Sequence, residues 1–414
     1  MQTSAFNIAD IDPGWIKRTV SGWLFDDPQW WMGLLRRYWP VARFPGGWAM
    51  VTRFEHVQEV LTQESVFQVP FGERMREMTA GPNFVLGMQD GPDYQRQHAQ
   101  ILQAFRREDV DSIITPLSAK FAGEIVAGSG ARLDAIEDLI TRLPTLLCES
   151  YYGVPIADKL RFAQWTIAMS GYMFGPPGKR PAFAATAFAA AELIRPVIDD
   201  AIRRAKAAPG SADTVLARFV AMQKQGAEGL TDEVIRAHLF GMITGFVPTN
   251  TIAAGNVLEM LLRRPEFMAH ARAAALADDD ELLARCLFEA MRFKPINPGP
   301  FRVCRKDYTI GAGSAQAATI RAGTRMLVST QSAMFDERRV ENPAEFNPAR
   351  KPAEYLLFGH GLHWCIGAYL AKAQITQTFK PLLKKSGLRR APGRAGRLQK
   401  LIVFPVHLEV EFDR

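Results

Sequence analysis

The sequence predicts a mainly α-helical fold with a minor β part, which is the α+β class. Two observations favour helix: residues 231–264 have the composition of one very long helix, and residues 182–208 are rich in alanine, the strongest helix former. A third observation indicates a small sheet, because short extended runs lie at residues 48–52 and again at residues 406–412. Strands so far apart can pair only if the whole chain folds together. We therefore expect residues 1–414 to form one domain.

Composition and charge exclude several classes of protein. The 414 residues are 48% hydrophobic and 22% charged, which is typical of a soluble globular protein with a large core. No run of about 18 apolar residues predicts a membrane span, and the net charge of +7 is not gathered in basic runs that would indicate nucleic-acid binding. The chain starts without a secretory pattern, and its four cysteines are too scattered for a disulfide framework. We expect a cytoplasmic monomer that binds neither membrane nor nucleic acid.

The amino-terminal part combines short elements with a long irregular segment. Residues 48–52 predict a strand, and residues 54–62 predict a short helix. Residues 66–89 contain many glycines, prolines and phenylalanines without periodicity, so they predict a loop. Loops of this length inside a domain are often functional.

The long helix begins and ends at recognisable signals. Thr231 is a predicted N-cap with acidic residues in the first turn, and Pro265 ends the pattern. A helix over residues 231–264 would be about 50 Å long, enough to cross the molecule. Its interior contains Gly245 and Pro248, which weaken a helix. This placement indicates that something packs against the middle of the helix.

Two more helices and a strand are predicted in the carboxyl-terminal half. One helix begins near Glu281 and carries Glu289 and Arg292, whose i, i+3 spacing places both charges on one face. Considered alone, such a pair is more often exposed than buried. The second helix spans residues 368–385 and ends in two lysines, which suit a helix carboxyl terminus. Apolar and polar residues then alternate over residues 406–412, as in a strand.

One cysteine lies in a glycine-rich turn immediately before a predicted helix. Cys365 stands between Phe358 and Gly367 in the pattern F-x-x-G-x-x-x-C-x-G. The first N–H groups of the helix would stabilise a thiolate, and the glycines let the backbone approach a large flat ligand. No second cysteine or histidine has the spacing of a zinc site, so an axial ligand to haem iron fits better. The alternative is a buried structural cysteine, although a chance match to the whole pattern has a probability of only about 10⁻³.

The segment around Cys365 resembles the haem-binding loop of the cytochrome P-450 superfamily, of the soluble bacterial haem-thiolate monooxygenase type. Further motifs of that family follow in the expected order over nearly the whole chain. The resemblance implies the P-450 fold, with the long helix over the haem, and haem b (protoporphyrin IX iron) as the cofactor. Residues 358–367 become the haem-thiolate loop, with Cys365 as the iron ligand and Phe358 and Gly367 against the haem.

The resemblance also implies which residues hold the haem propionates. Arg302 and His363 match positions that bind propionates in the family. Residues 90–98 resemble the family's D-P-P-x-H-x-R-x-R helix start, with Tyr94 in place of the histidine and His98 in place of an arginine. Both replacements can still donate hydrogen bonds.

A structural role for Glu289 and Arg292 is implied in the same way. In the family, this pair forms a buried charge network with an arginine in the segment ahead of the cysteine loop. Arg350 stands at that position. The network would hold the proximal side together for haem insertion.

The largest departure from the family lies in the long helix. The family pattern A/G-G-x-D/E-T-T corresponds to residues 245–250, which read G-F-V-P-T-N. The resemblance makes Thr249 the oxygen-activating threonine, with Asn250 beside it, and places Pro248 at the position of the acid. Because Pro248 cannot donate to the carbonyl of Thr244, we expect a freed carbonyl and a kink. Protons must then arrive through water or substrate, unless the proline merely bends a buried helix.

The pocket and the partners are also inferred from the resemblance. An apolar lining suits an apolar small-molecule substrate. The candidate lining residues are Phe67, Phe71, Phe84, Leu86, Trp165, Met169, Phe246, Ile296 and Phe301. The chain has no flavin or iron–sulfur module, so electrons are expected from an external ferredoxin and ferredoxin reductase. The candidate basic surface for an acidic ferredoxin consists of Arg106, Arg107, Lys372, Lys380, Lys384 and Lys385.

Three functions are open at this point. The first is a haem-thiolate monooxygenase that inserts one oxygen atom from O₂ into an apolar substrate. The second is a peroxide-dependent or hydroperoxide-rearranging haem-thiolate enzyme, for which the missing acid at Pro248 is the reason. The third is a haem-binding sensor or carrier, although a long aromatic pocket segment argues against it.

Overall fold

A computed structural model describes the protein over residues 28–177, 184–210, 212–401 and 403–413. The fold is mainly helical with a minor β part, as predicted. The helices are α1 (Gln29–Tyr38), α2 (Phe54–Thr62), α3 (Gly72–Thr79), α4 (Pro92–Ala104), α5 (Thr115–Gly128), α6 (Arg142–Leu147), α7 (Lys159–Met173), α8 (Ala184–Ala207), α9 (Val215–Lys224), α10 (Asp232–Arg263), α11 (Pro265–Leu276), α12 (Asp280–Phe293), α13 (Thr330–Ala333) and α14 (Ala368–Lys384). The strands are β1 (Val41–Phe44), β2 (Trp48–Val51), β3 (Phe67–Gln68), β4 (Arg132–Asp134), β5 (Phe301–Cys304), β6 (Tyr308–Ile310), β7 (Ala318–Ile320), β8 (Arg325–Val328), β9 (Arg389–Arg390), β10 (Gln399–Leu401), β11 (Phe404–His407) and β12 (Glu409–Glu411).

The long helix α10 lies at the centre of the helical core. It spans 32 residues and begins where predicted, with the hydroxyl of Thr231 accepting the N–H of Val234 at 3.4 Å. Most of its residues are buried, because α7, α8 and α12 pack around it. Helix α8 also agrees with its prediction, although the first two residues of the predicted segment 182–208 lie outside the described residues.

Helix α10 is not interrupted at Pro248. Three side chains that follow the proline each donate to a backbone carbonyl one turn earlier: Thr249 to Gly245, Asn250 to Phe246 and Thr251 to Val247. Such bonds satisfy carbonyls within the helix and are known to bend helices slightly.

Strands from distant parts of the chain form the sheets. The largest has the order β1-β2-β8-β5-β3, with β2 and β8 parallel and the other pairs antiparallel. The β1–β2 hairpin turns at Gly46 and Gly47, whose φ angles of 79° and 73° suit glycine. Smaller sheets are β4-β12-β9, β10-β11 and β6-β7. Of the helices in the described ranges, none combines the length and apolar character that crossing a membrane would need.

Residues 66–89 do not form the predicted loop. They contain β3, α3 and a 3-10 turn at Val85–Gly87. Helix α3 has only eight residues, which is too short for periodicity to stand out, and it packs through Met75 and Met78. The prediction failed because tertiary burial, rather than a repeated pattern, selects helix here.

The alternating segment at residues 406–412 predicts one strand, but the structure divides it at Leu408 between β11 and β12. The two parts belong to different sheets, since β11 pairs with β10 whereas β12 pairs with β4 and β9. A period-two pattern shows which side chains are buried and does not show which strand is the partner.

Candidate active site

A cavity of about 610 Å³ is lined by α10 and by the loop that carries Cys365. The lining is mostly apolar and includes six of the predicted pocket residues: Phe71, Phe84, Leu86, Phe246, Ile296 and Phe301. The cavity thus brings together residues from both halves of the chain, including the candidate metal ligand and the candidate oxygen-side threonine, Thr249.

The loop around Cys365 depends on close backbone contacts. The N–H of Cys365 donates to the carbonyl of Phe358 at 3.0 Å, and the carbonyl of Cys365 accepts from Ala368 at 3.2 Å, where α14 begins. Gly361 has a φ of 73°, and a Cβ there would lie 2.2 Å from the carbonyl oxygen of Leu61. The loop therefore requires glycine at this position to pack against α2.

Cys365 is exposed to the cavity that it lines, and the surrounding protein partly desolvates its thiol. Burial raises the pKa of the thiol, and the backbone N–H of Gly367 opposes that rise. The other described cysteines, Cys148, Cys286 and Cys304, are buried outside the cavity lining. Within the described ranges, no group of three or more His, Cys, Asp or Glu residues could hold a metal ion.

Buried polar atoms at the edge of the cavity fit the carboxylates of haem. Arg302 is 3% exposed, and its Nε has no hydrogen-bond partner among the described residues. The same holds for Nε2 of His363, which lies 3.7 Å from Oε2 of Glu64. Burial lowers the pKa of His363 to about 3 and raises that of Glu64. Because buried polar groups are normally satisfied, Arg302 and His363 suit a polar ligand reached from the cavity.

Tyr94 and His98, where α4 departs from the family pattern, differ in the hydrogen bonds that they can donate to a ligand in the cavity. The hydroxyl of Tyr94 donates to the carbonyl of Leu362 at 2.9 Å, so its proton is engaged by the cysteine loop. In this structure Tyr94 thus holds the cysteine loop, and its contact with a propionate stays a prediction. The ring of His98 stacks on Tyr94 at 5.4 Å and lines the cavity, and burial lowers its pKa. A neutral imidazole still has one N–H to donate.

The part of α10 around Pro248 lines the cavity through Gly245, Phe246, Thr249 and Asn250. Pro248 itself is buried outside the lining. A Cβ at Gly245 would meet no atom within 4 Å, so the helix surface is open there. The hydroxyl of Thr249 donates to the carbonyl of Gly245, which leaves its oxygen free to accept.

Three predicted pocket residues lie outside the cavity lining. Phe67 belongs to β3, where it pairs with Cys304 and packs edge-on against Tyr308 at 5.2 Å. Trp165 and Met169 face the helical core from α7. Large apolar side chains suit a core as well as a pocket, so the sequence could not separate the two.

The lining also contains Phe174 and Phe404, which are not among the nine individually named candidates. Phe174 packs against Phe71 with ring centroids 5.7 Å apart, and Phe404 enters from β11. Phe174 ends the segment 165–174, which the resemblance to the family already implies as part of the pocket. For Phe404 no sequence signal was available, because it reaches the cavity through sheet pairing.

Glu289 and Arg292 are both 0% exposed and form a two-contact ion pair at 2.7 and 2.9 Å. Arg350 Nε lies 3.4 Å from Glu289, which also accepts from the hydroxyl of Tyr355 at 2.8 Å and from the N–H of Asn347 at 3.1 Å. Burial alone would raise the pKa of Glu289, but its partners outweigh burial and lower it. The structure thus places these three predicted residues in one buried network.

The predicted basic surface is largely neutralised by the chain itself. Lys372 pairs with Glu281 at 3.0 Å, and Lys380 pairs with Asp280 at 2.8 Å. Lys384 pairs with Asp278. These three lysines therefore do not form the exposed positive patch that the sequence indicated.

The family model described as Cytochrome P450 matches residues 182–395. Mycinamicin IV hydroxylase/epoxidase from Micromonospora griseorubida is 28% identical over 81% of this chain and 81% of the relative. Cytochrome P450 130 from Mycobacterium tuberculosis is 30% identical over 72% of this chain and 70% of the relative. Among solved structures, ligand-free cytochrome P450 TbtJ1 is 23% identical over 100% of both chains, with a TM-score of 0.76.

These matches, together with the cysteine loop and the helical fold, show that the chain belongs to the cytochrome P-450 family. The family implies a haem-thiolate iron cofactor, which the unsatisfied Arg302 and His363 and the single accessible Cys365 fit. Within that family the chain is a monooxygenase of bacterial type, since relatives spanning most of its length are hydroxylases, epoxidases and oxygenases. The hypothesis of a non-enzymatic carrier is thereby wrong.

Proposed function

We propose that this enzyme inserts one oxygen atom from O₂ into an apolar small molecule bound beside haem b, with electrons from a separate ferredoxin-type protein. The observation that carries the proposal is a single apolar cavity lined by both Cys365 and Thr249. Haem held by Cys365 would supply oxygen activation and electron transfer.

The protein's own residues have three tasks in this proposal. Arg302, His363 and His98 would hold the propionates from the cavity edge. The rings of Phe71, Phe84 and others would bind the substrate and exclude water from the site.

The third task, proton delivery, would fall to the hydroxyl of Thr249. Its oxygen can accept a hydrogen bond from water while its proton is bonded to the carbonyl of Gly245, and the hydroxyl must turn away from Gly245 to pass that proton on.

One observation favours a second candidate, a peroxide-dependent or hydroperoxide-rearranging enzyme. Among the described residues that line the cavity, none is aspartate or glutamate, and Pro248 occupies the position where the family has an acid. Without a carboxylate, protons for O₂ cleavage must travel through Thr249 and water alone. Hydrogen peroxide already contains the two electrons and two protons that the O₂ route must supply.

Two measurements test the proposal. Apolar compounds, including the mycinamicin and erythromycin types named for two relatives, would be screened for shifts of the haem spectrum. Binders would then be incubated either with ferredoxin, its reductase and NADPH, or with hydrogen peroxide. Hydroxylated or epoxidised product in the first assay supports the monooxygenase. Product in the second assay alone would overturn it in favour of the peroxide enzyme.

A further inference from the structure

A buried acid lies next to the residues that fit the haem propionates. Glu64 stands in the turn between α2 and β3, and its side chain is 12% exposed. Among the described residues, neither of its carboxylate oxygens has a hydrogen-bond partner. Its Oε2 lies 3.7 Å from Nε2 of His363, which is unsatisfied as well, and the charge of Arg302 acts on it. Since buried polar atoms are normally satisfied, Glu64 suits a polar group that enters with the cofactor.

The titratable groups around Glu64 come from β5, the cysteine loop, α4 and the residues just ahead of α4: Arg302, His363, Tyr94, His98 and Asp90. Arg302 is 3% exposed and favours the ionised carboxylate, whereas the exposed Asp90 disfavours it. Burial lowers the pKa of His363 to about 3 and also lowers that of His98, so both imidazoles are neutral. Burial, with the charge of Glu64, raises the pKa of Tyr94 to about 12. Of these five groups, only Arg302 is therefore a cation at neutral pH.

Haem would add two carboxylates to this cluster. Its propionates and Glu64 together give three carboxyl groups for one buried guanidinium. Carboxylates that share a site raise one another's pKa, because like charges at short distance cannot all ionise. Burial already raises the pKa of Glu64, and its effect is larger than the opposing effect of Arg302. A protonated Glu64, unlike an ionised one, can donate a hydrogen bond to a propionate.

We propose that Glu64 is the proton-binding group of the haem site. When protonated, it donates a hydrogen bond to a propionate, and the ferrous enzyme holds this proton more tightly than the ferric enzyme. On reduction the iron gains one electron from the reductant, and the carboxylate of Glu64 takes up one proton from water; reoxidation releases both. This linkage depends on the haem and on Glu64, so it holds whether the enzyme uses O₂ or peroxide.

The direction of the pH effect follows from the charge. Reduction removes one unit of positive charge from the iron, so the pKa of Glu64 is higher in the ferrous than in the ferric enzyme. The reduction potential is then constant at acidic pH, where both states hold the proton, and it falls as the pH rises between the two pKa values. The steepest possible fall is about 59 mV per pH unit, the one-electron equivalent of a tenfold change.

Spectroelectrochemical titration of haem-loaded, substrate-free enzyme between pH 5.5 and pH 9 tests this linkage. The wild-type potential should fall over part of this range. Glu64→Gln carries a neutral amide that can still donate, so its potential should stay constant near the wild-type value at acidic pH. Asp90→Asn is the matched control: it removes an exposed carboxylate that also acts on the cluster, and the fall with pH should remain.

Haem retention provides a second readout that does not depend on the potential. An ionised Glu64 repels the propionates, so wild-type enzyme should transfer haem to excess apomyoglobin about tenfold faster at pH 9 than at pH 6, which corresponds to one pKa unit of interaction. Glu64→Gln should transfer haem at the same slow rate at both pH values. The carbon monoxide spectrum of each variant shows that its haem site has formed.

Three results would overturn the assignment. A wild-type potential that does not change between pH 5.5 and pH 9 would show that no proton is linked to reduction. Rapid haem loss from Glu64→Gln at pH 6 would mean that Glu64 acts as an ionised partner of Arg302 or His363. A potential that still falls with pH in Glu64→Gln but is constant in His98→Gln would assign the proton to His98. The source of oxygen is decided separately, by product analysis with ferredoxin or with peroxide.

Discussion

At the scale of single residues, Cys365 differs from the other described cysteines in one respect. It alone is accessible from the cavity, whereas Cys148, Cys286 and Cys304 are buried in protein. Cys365→Ala should therefore remove the absorption band that thiolate-bound haem shows in the reduced carbon monoxide complex. Cys286→Ala is the matched control and should keep it. An unchanged band in Cys365→Ala would show that another group ligates the iron.

Thr249 and Thr251 provide a second comparison at this scale. Both hydroxyls donate to a carbonyl one turn earlier, but only Thr249 lines the cavity. Thr249→Ala should keep substrate binding and lower the rate of product formation by about 10²–10⁴-fold, with reducing equivalents diverted to hydrogen peroxide. Thr251→Ala should keep the coupling. Equal coupling in the two variants would mean that Thr249 does not deliver protons.

At the scale of elements, the network of Glu289, Arg292 and Arg350 joins α12 to the segment ahead of the cysteine loop. Glu289→Ala leaves the buried guanidinium of Arg292 without its carboxylate, at a cost of about 3–5 kcal/mol, whereas Arg350 keeps its ion pair with Glu354. We expect little soluble, haem-loaded protein. Tyr355→Phe removes only one hydrogen bond to Glu289 and should cost about 1–2 kcal/mol. Thermal unfolding and haem content measure both variants, and normal values in Glu289→Ala would contradict a stabilising network.

The same network predicts the effect of acid. The pKa of Glu289 is lower in the folded protein than its ordinary value of 4.5. Its contribution to stability is therefore fully present above about pH 4.5 and is lost as the pH falls through the lowered folded value. Denaturant unfolding of wild-type protein between pH 7 and pH 3 should show this loss. Glu289→Gln, if soluble, should show a shallower dependence over the acidic end of that range.

Alanine substitutions at two glycines one turn apart on α10 test how closely the helix packs against its neighbours at the cavity. A Cβ at Gly241 would lie 2.2 Å from the ring of Phe84, whereas a Cβ at Gly245 would meet nothing within 4 Å. Gly241→Ala should displace Phe84 and cost about 1–3 kcal/mol. Gly245→Ala should raise stability by about 0.5–1 kcal/mol through helix propensity and weaken the binding of bulky ligands. Thermal unfolding and spectral titration distinguish the two, and equal effects would contradict the packing.

At the scale of the whole molecule, the cavity joins a thiolate loop to a helix that lacks the family's acid. Pro248→Glu returns a carboxyl group and a backbone N–H to α10. If the enzyme uses O₂, coupling of NADPH to product should hold or improve. If it uses peroxide, the peroxide-driven rate should fall while ferredoxin-driven turnover appears. Pro248→Ala, which returns the backbone N–H without a carboxyl group, separates the effect of the acid from that of the restored helix bond.

The sequence by itself determined the features that depend on neighbouring residues. The turn around Cys365, the N-cap at Thr231, and the spacing of Glu289 and Arg292 are local patterns, and their physical causes act within a few residues. The family could be predicted because these patterns occur together in order. The buried state of the Glu289 pair was implied by the resemblance alone, since i, i+3 spacing does not distinguish a buried face from an exposed one.

Only the tertiary structure decided which side chains meet across long separations. It engaged the hydroxyl of Tyr94 with the cysteine loop, placed Phe67 in the sheet, and paired Lys372 with a carboxylate of another helix. It also brought Phe404 into the cavity through strand pairing. These outcomes depend on packing between segments up to hundreds of residues apart. A local pattern carries no information about the partner that a buried or charged side chain will find.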